Sequence, residues 1–507
     1  MKYNIKMSLT VRSVLTNALP LIFLLFTVSC NAQSFHQRPL NWLPTGSSLD
    51  DNLYILNMWG EQPSHVQEVY QLAFRILEQK PNSSFSDLAR NAKFQELCRK
   101  HGIIHLGGPM LGDLRKDGAR VWVRTVQPSR VEVRLVSEGR ELVFGPVVSS
   151  EDSDLTAIVR LSGLKAGTSY PYRVFVNGEE VRNAGNHMLT ILPDSDFVTD
   201  ARIVAGTCFH RWGIGNHNQV RQILSRKPLA MLLGGDISVQ DRENNIGMHR
   251  ADYLLRDFSP AWQNLAGSVP VYATWDDHDY FNNDLAGIPD GFTNEDREAV
   301  WNVFRQAWNN PAYGFGEEGK GVFFRTRIGP ADVIMVDNRY FRTGEKGSFL
   351  GDEQMKWLEE QLLDCEGPFI ILSCGTMWSD YVSDGKDSWG VNDPEGRERL
   401  FSLIEKNKIG GVILISGDRH GARGFRIPRP SGFNFYEFEL GSLGGRTGPS
   451  PISADWETQL FGISGIYAFG EFSFNTTLDD PEVTFRLIRD RGTVLYEITL
   501  KRSQLTP

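Results

Sequence analysis

Residues 269–279 read VPVYATWDDHD, an apolar run that stops abruptly at a cluster of acidic and histidine side chains. A continuous apolar run is typical of a strand that is covered on both faces, as in the sheet of an α/β protein. In such sheets ligands bind beyond the carboxyl ends of the strands. The stretch therefore predicts a buried strand with a polar site directly after it.

Similar apolar runs recur on both sides of this stretch, separated by segments with helical spacing. They occupy residues 202–208, 229–236, 331–337 and 411–420. The side chains at these strand ends that could bind a metal are Cys208, Asp236, Asp277, His278, Asp418 and His420. One such strand end is ordinary, but several that carry the same kind of group predict a single shared site.

The order of these residues suits a pair of cations. Two cations about 4 Å apart need a carboxylate between them, and Asp236, which follows Gly235, is the candidate for that bridge. Asp418 and His420 are two residues apart and would point the same way in an extended segment. Cys208 could supply a thiolate, and thiolate and imidazole favour transition metals, whereas carboxylates favour harder cations.

Each element alone also has a structural explanation. A Gly-Asp pair after a strand is commonly a turn, and the acidic run Asp276–Asp279 could cap a helix. A free cysteine such as Cys208 is more often packed in a core than bound to a metal. Because these elements recur at matched strand ends, we favour the metal site over the separate explanations.

The region before residue 200 has a different pattern. Between residues 106 and 195 the hydrophobic period is two, which predicts short strands separated by turns. The segment Leu164–Tyr170 resembles the tyrosine corner of fibronectin-type and immunoglobulin-like domains. We therefore expect a small Ig-like β-sandwich domain at 106–195 and an α/β domain at 200–507 that ends in a β-hairpin.

The first 105 residues divide into a leader and a helical segment. An apolar run at residues 19–28 follows a basic start and is too short to span a membrane, so residues 1–30 are predicted to be a signal peptide. Cys30 lies in a sequence that resembles a bacterial lipoprotein box, and ordinary cleavage after Ala32 is the alternative. We expect an exported protein in the periplasm, on the outer membrane as a lipoprotein, or at the cell surface.

Residues 31–105 should form a polar tether followed by helices at 64–79 and 86–100, since apolar residues recur there with helical spacing. The cysteines after the leader are too few and too scattered for a disulfide framework. They are Cys98, Cys208, Cys365 and Cys374.

The charge balance limits the partners. The chain of 507 residues has 53 basic and 62 acidic residues and a net charge of −9. Non-specific nucleic-acid binding requires an excess of basic residues, so we expect no nucleic-acid polymer as a partner. A local basic patch could still hold a small anion, which leaves phosphate esters as substrates. The sequence indicates no obligate protein partner.

Taken together, these motifs resemble the alkaline phosphatase D (PhoD-like) family of calcineurin-like metallophosphatases, over nearly the whole mature chain. The segments that carry the resemblance are Gly107–Gly112 with Val121–Arg124, Thr207-Cys208, Gly235-Asp236, Trp275–Asp279 with Asn282-Asn283, Val336–Arg339, Leu350–Leu358 and Gly417–His420. The resemblance implies an αββα-sandwich metallophosphatase domain behind the Ig-like β-sandwich. It also implies an exported phosphoric-ester hydrolase that uses two metal ions (Ca, Fe, Zn or Mn) and a metal-activated water.

The resemblance also assigns roles to the strand-end residues. It makes Asp236 the bridging ligand, with Cys208 and His420 on one metal and with Asp277 and Asp418 on the other. It makes His278 the acid for the leaving group or a phosphate binder. Asn283 and Arg339 become candidate oxyanion contacts, although Arg339 could equally be a buried salt-bridge partner.

Two positions depart from the family pattern. Val239 stands where iron-binding members carry a tyrosine, which leaves the metal identity open. Cys374 follows a strand after which related phosphatases often carry another polar ligand, and it could be a ligand or a core residue. An alkaline phosphatase is the leading activity. The alternatives are a phosphodiesterase or phospholipase of the same fold, or a non-catalytic envelope lipoprotein.

Overall fold

The structure is a computed structural model that describes residues 46–182, 187–316, 320–343, 349–379, 387–452 and 457–507. The predicted signal peptide and its Cys30 lie outside these residues. Among the described residues, no helix has the length and apolar character needed to cross a membrane.

Helices come first in the described chain. They are α1 (Leu49–Asn57), α2 (Ser64–Leu77), α3 (Phe85–Arg90) and α4 (Ala92–His101). Helix α1 lies within the stretch expected to be a tether, and its Ile55 and Leu56 are buried against the neighbouring helices. The helix predicted at 86–100 is two helices, because Asn91 leaves the helical conformation and its side chain caps α4 by accepting a hydrogen bond from the Phe94 N–H.

An antiparallel β-rich region follows these helices. Its strands are β1 (His105–Gly112), β2 (Ala119–Thr125), β3 (Arg130–Ser137), β4 (Arg140–Val148), β5 (Thr156–Leu161), β6 (Ser169–Val176), β7 (Glu179–Glu180) and β8 (Met188–Thr190). One sheet has the order β1-β2-β5 and the other β4-β3-β6-β7, with β8 paired to β6. The Tyr170 hydroxyl accepts a hydrogen bond of 3.1 Å from the Lys165 N–H, as a tyrosine corner requires.

The remaining elements build two larger sheets and their covering helices. The strands are β9 (Ala201–Gly206), β10 (Ala230–Gly234), β11 (Val271–Thr274), β12 (Phe324–Ile328), β13 (Ala331–Met335), β14 (Phe369–Ser373), β15 (Val412–Ser416), β16 (Ala422–Pro428), β17 (Asn434–Glu439), β18 (Gln459–Ile463), β19 (Ala468–Asn475), β20 (Glu482–Arg489) and β21 (Val494–Lys501). The helices are α5 (His210–Gly213), α6 (His217–Ser225), α7 (Ile246–Asp257), α8 (Pro260–Ala266), α9 (Asp277–Tyr280), α10 (Asn294–Ala307), α11 (Gly351–Leu363), α12 (Trp389–Asn392) and α13 (Pro394–Asn407). A 3₁₀ turn at Arg502–Leu505 ends the regular structure.

The two larger sheets pack face to face. Their strand orders are β11-β10-β9-β19-β20-β21 and β12-β13-β14-β15-β17-β16-β18. Aromatic side chains join them: the ring centroids of Phe438 and Phe485 are 4.1 Å apart, and those of Phe369 and Phe474 are 5.1 Å apart. Helices α6, α8 and α10 pack in one cluster on the outer face of the first sheet, and α11 and α13 in another on the second. The αββα fold class is confirmed.

The parallel core of these sheets positions the site. Strands β9, β10 and β11 run parallel in the first sheet, and β13, β14 and β15 run parallel in the second. The apolar runs of the sequence are therefore buried strands, as predicted. At the other edge of the first sheet, β20 and β21 pair antiparallel around the turn near residue 491, where the sequence places a terminal hairpin.

Candidate metal centre

The strand-end side chains meet at the junction of the two sheets. Cys208 follows β9, Asp236 follows β10 and Asp277 follows β11, while Asp418 and His420 follow β15. All of these groups are buried or nearly so. Because each follows the carboxyl end of a parallel strand, the chain brings them to one place from distant positions in the sequence.

The backbone is strained at many of these ligands. Positive φ angles occur at Cys208 (52°), His210 (47°), Asp236 (52°), Asp418 (74°) and His420 (38°). Such angles cost side-chain-bearing residues on the order of 1–3 kcal/mol each and cluster at functional sites. Strained backbone therefore coincides with several of the candidate ligands.

Gly235 is the residue that lets Asp236 turn into the site. Its φ is +113°, and a Cβ atom there would lie 2.5 Å from the Asp276 Cβ. A side chain at this position would therefore push the segments after β10 and β11 apart.

A first group of ligand atoms combines sulfur, nitrogen and oxygen. One ligand atom from each of Cys208, His210, Asp236 and His420 lies within 4.8 Å of the others. The Asp236 Oδ2 atom is 3.8 Å from the Cys208 Sγ atom and 3.9 Å from the His210 Nε2 atom. This spacing fits four ligands around one cation.

A second group consists of carboxylates alone. One oxygen from each of Asp236, Asp276, Asp277 and Asp418 lies within 4.8 Å of the others. Asp236 belongs to both groups, which is the position that a bridging ligand must occupy. Two backbone hydrogen bonds fix the orientation of the Asp277 carboxylate. It accepts them from the N–H groups of His278 (2.9 Å) and Asp284 (2.7 Å).

Two carboxylates of this cluster, Asp236 and Asp418, lack a full counter-charge among the protein groups around them. Burial and the Asp277 charge raise the pKa of Asp236 well above its ordinary value. Burial likewise raises the pKa of Asp418, with Asp277 adding to the effect and Arg419 opposing it. A buried carboxyl group close to other carboxylates keeps its proton to a higher pH unless a cation neutralises the negative charge.

Buried polar atoms without hydrogen-bond partners also support a metal site. Within the described residues, these buried atoms have no hydrogen-bond partner: Asp236 Oδ1, Asp276 Oδ2 and both ring nitrogens of His210. Burial lowers the pKa of His210 well below its ordinary value, and burial followed by the Arg446 charge lowers that of His420 to about 3. Neutral imidazoles and unpaired carboxylates are the forms that bind metal, so the residues present fit a two-metal centre.

His278 lies at the rim of the centre, where it is held by an acid. Its Nδ1 atom is 2.6 Å from the Asp241 Oδ1 atom. Burial works to lower the pKa of His278, but the carboxylates of Asp236, Asp277 and Asp241 outweigh it and raise that pKa well above its ordinary value. Because Nδ1 is engaged, Nε2 is the nitrogen left to face a substrate.

The two candidate oxyanion contacts lie in different environments. Asn283 lines the cavity above the centre, and its amide donates to Asp284 at 2.8 Å. Arg339 is fully buried, and its guanidinium forms ion pairs with Asp276 (2.5 Å) and Asp387 (2.9 Å). These contacts match the alternative that Arg339 is a buried salt-bridge partner. The ion pair also fixes the position of the Asp276 carboxylate.

The two positions that depart from the family pattern are both core residues. Val239 is fully buried in the apolar cluster beneath the first sheet. Cys374 packs among apolar residues of the second sheet, and its sulfur accepts a hydrogen bond of 3.3 Å from the Trp389 indole N–H. Neither contributes a ligand atom to the groups described above.

An open cavity of about 490 Å³ leads from solvent to the centre. Residues on its wall include Asp241, His278, Asn283, Asp418, His420 and Arg446. A small anion can therefore reach the ligand cluster from outside.

Sequence reasoning missed several residues of this site: His210, Asp241 and Arg446. His210 stands two residues after Cys208, in a short turn beside aromatic residues, and a lone histidine there suggests packing. Asp241 and Arg446 lie in loops without ligand-like spacing. Asp276 was part of the quoted signature, but the spacing of the motif offered no reason to separate its role from that of Asp277.

The fold and this centre define the class of the αββα metallophosphatases. Residues 238–504 match the PhoD-like phosphatase family, and the chain belongs to that family. Residues 105–191 match a domain of unknown function, DUF7800. Comparison with the curated proteins gives no significant match.

Solved structures agree on the fold. A structure of PhoD has a TM-score of 0.63 at 16% identity, covering 79% of this chain and 91% of that chain. Purple acid phosphatase PPD1 from yellow lupin (Lupinus luteus) seeds has a TM-score of 0.57 at 15% identity, covering 78% of this chain and 74% of that chain. At these identities the likeness concerns the fold alone.

Proposed function

We propose that the protein is a metal-dependent phosphoric-ester hydrolase whose main activity is that of an alkaline phosphatase. The observation that carries this proposal is the position of Asp236, whose carboxylate belongs to both ligand groups. Asp418 and His420 from these groups line an open cavity. A shared carboxylate between two cation sites suits hydrolysis of an anionic ester.

The ligand sets suggest which residues would hold each cation. Cys208, His210, Asp236 and His420 form the first set, and Asp236, Asp277 and Asp418, with Asp276 beside them, form the second. A thiolate and two imidazoles favour a transition metal such as Zn, Fe or Mn in the first set, whereas carboxylates alone favour a harder cation such as Ca or Mn in the second. When bound, these cations would neutralise the charge of the ester and activate water for attack at phosphorus.

The protein's own groups would handle the leaving group. With Nδ1 held by Asp241, the imidazolium of His278 can donate its Nε2 proton to the leaving oxygen. Asp241 fixes the ring and, through its negative charge, favours the protonated form. It also accepts a hydrogen bond of 3.1 Å from the Asn283 N–H, which ties the Asn283 loop to the same rim.

A phosphodiesterase or phospholipase is the second candidate, and the open cavity is the observation that favours it, because an open wall can admit both arms of a diester. A non-catalytic envelope lipoprotein remains the third alternative. It would need neither the shared carboxylate nor the proton donor at the rim.

The test uses metal-stripped protein and two synthetic esters, p-nitrophenyl phosphate and bis-p-nitrophenyl phosphate. Zn, Fe, Mn and Ca are added back singly and in pairs. We expect hydrolysis to return with a transition metal plus a second cation, to be lost in Asp236→Asn, and to persist in the control Asp479→Asn, an exposed aspartate. Hydrolysis that persists in Asp236→Asn contradicts the mechanism, and no hydrolysis with any metal supports the non-catalytic alternative.

We further propose that the protein is exported and anchored through a lipid on Cys30. The support is the sequence of the leader alone. Labelled palmitate should be incorporated into the wild-type chain and not into Cys30→Ser. A chain that is released in soluble form with equal efficiency in both would indicate ordinary cleavage after Ala32.

A further inference from the structure

Arginines surround the metal centre, and two of them, Arg339 and Arg419, are committed to protein acceptors. Arg339 pairs with Asp276 and Asp387. Arg419 lies 3.2 Å from the Asp418 carboxylate and donates to the Asp387 carbonyl oxygen at 2.8 Å. Their charges stabilise the ligand cluster from within.

Arg446 differs from both. It lines the cavity and is partly buried, yet no ion pair or hydrogen bond joins its guanidinium to any residue in the described ranges. Its guanidinium carbon lies 4.9 Å from the ring centroid of Trp212, which is fully buried. An arginine that stacks on a rigid indole keeps its planar donors in place while leaving them free for another acceptor.

The backbone around Arg446 is also fixed against the centre. A Cβ atom on Gly448 would lie 2.1 Å from the Arg419 carbonyl oxygen and 2.5 Å from that of His420. Only glycine permits so close an approach, and the segment that carries Arg446 is thereby held against the loop that carries two ligands. Trp212 is held in turn by His210, whose ring centroid is 4.7 Å away.

We propose, on the basis of the proposed hydrolase function, that Arg446 binds non-bridging oxygens of the substrate and selects phosphomonoesters over phosphodiesters. A guanidinium binds two phosphate oxygens in a fork. A monoester has three non-bridging oxygens, so it can present two to Arg446 and still direct one at the ligand cluster. A diester has only two and must give up one of these contacts.

The difference in charge between the two esters also favours binding of the phosphomonoester over the phosphodiester. Above its second pKa of about 6 a phosphomonoester carries nearly two negative charges, whereas a diester carries one. The cavity wall also presents the carboxylates of Asp241 and Asp418. The other positive groups on this wall, Arg419 and His278, are each paired with one of these two acids. Arg446 therefore supplies positive charge where an approaching dianion needs it most.

The experiment compares kcat/KM for p-nitrophenyl phosphate and bis-p-nitrophenyl phosphate in the wild-type enzyme, Arg446→Gln and Arg446→Lys. Arg99→Gln, an exposed arginine on α4, is the control. Loss of charge-assisted hydrogen bonds should lower the monoester value about 10- to 100-fold in Arg446→Gln. The diester value should change much less, and Arg446→Lys should lie between. An equal loss on both esters, or no loss on the monoester, overturns the proposal.

A binding measurement separates this inference from the proposed function. Calorimetry of the metal-loaded protein with inorganic phosphate should show affinity reduced about 10- to 100-fold in Arg446→Gln. If the wild-type protein hydrolyses neither ester, the hydrolase proposal fails, and the phosphate titration still decides the role of Arg446. Equal phosphate binding by the variant and the wild type, or none by the wild type, overturns it.

Discussion

The buried carboxylate of Asp154 and the buried carboxylates of the metal centre have opposite surroundings. Asp154, between the N-terminal helices and the β-rich region, forms ion pairs with Arg250 (2.7 Å) and Arg124 (3.2 Å). Burial alone would raise the pKa of Asp154, but these two arginines lower it below its ordinary value. In the metal centre, burial and neighbouring acids raise the pKa values of Asp236 and Asp418.

The difference separates a structural charge from a functional one. Asp154 has its counter-charges within the chain, so its negative charge is balanced on folding. The strand-end carboxylates outnumber their arginines and face one another, so their balance requires cations from outside. A buried acid whose charge the protein leaves unneutralised is therefore a candidate for function.

The largest expected effect is that of Asp236→Asn, which removes the shared carboxylate. Ester hydrolysis should fall on the order of 10³-fold or more, since both cation sites lose a ligand. The metal-free variant should be at least as resistant to denaturant as the metal-free wild type, because a crowded buried charge is gone. Steady-state kinetics and urea unfolding test the two statements. A variant that is inactive because it is unfolded would contradict the comparison.

Asp154→Asn should show the reverse behaviour. Its loss leaves Arg124, a fully buried arginine, without its full counter-charge, and the free energy of unfolding should fall by about 3–5 kcal/mol. The metal content of the folded fraction should not change. Urea unfolding and elemental analysis measure both quantities. Loss of metal without loss of stability would mean that Asp154 and the carboxylates of the metal centre do not have distinct roles.

His278→Gln should have a smaller effect than Asp236→Asn, and one that depends on the substrate. Loss of this positioned proton donor should cost on the order of 10²-fold where the leaving group needs protonation. The loss should be greater for an alkyl phosphate than for p-nitrophenyl phosphate, because p-nitrophenolate leaves without a proton. Rates on both esters test this. Equal losses would assign His278 to phosphate binding instead.

The smallest effect concerns pH. Burial and Asp277 raise the pKa of Asp276 to about 6, although Arg339 opposes them. A raised pKa means that this carboxyl group in the folded protein keeps a proton that the unfolded chain has lost. Its contribution to the stability of the metal-free protein therefore falls as pH rises from about 4 through about 6. Added cations replace those protons.

The gain in Tm on saturation with metal should therefore grow between about pH 5 and about pH 7, on the order of a few degrees. Thermal unfolding with and without metal measures it. In Asp236→Asn the dependence should be weaker. A gain that is largest at the acidic end would contradict the assignment of these carboxylates as ligands.

The sequence predicts the scaffold of the site well. Apolar runs that end in polar residues identify the parallel strands, and the strand ends converge because parallel strands share an edge. Individual candidate ligands could be predicted only where they lie at the end of an apolar run, as Asp236 does. The single helix predicted at 86–100 is divided at Asn91, because the side chain of Asn91 caps a new helix there. The spacing of apolar residues contains no information about such a cap.

What the sequence could not provide is the pairing of charges across distant segments. Arg339 and Arg446 look alike as isolated arginines near polar motifs. Only the tertiary contacts distinguish them, since Arg339 is neutralised by two aspartates and Arg446 faces the cavity. His210 was missed for the same reason: its proximity to His420, with ring centroids 5.1 Å apart, depends on where β9 and β15 end.

The measurement that tests the central claim most directly is the metal content of folded protein, determined by elemental analysis after equilibration with a transition metal and a hard cation. Two tightly held cations per chain are expected for the wild type, as in dinuclear centres, with at most one in Asp236→Asn and the wild-type number in Asp154→Asn. Equal metal content in the wild type and Asp236→Asn, or no tightly held metal in the wild type, would contradict the account.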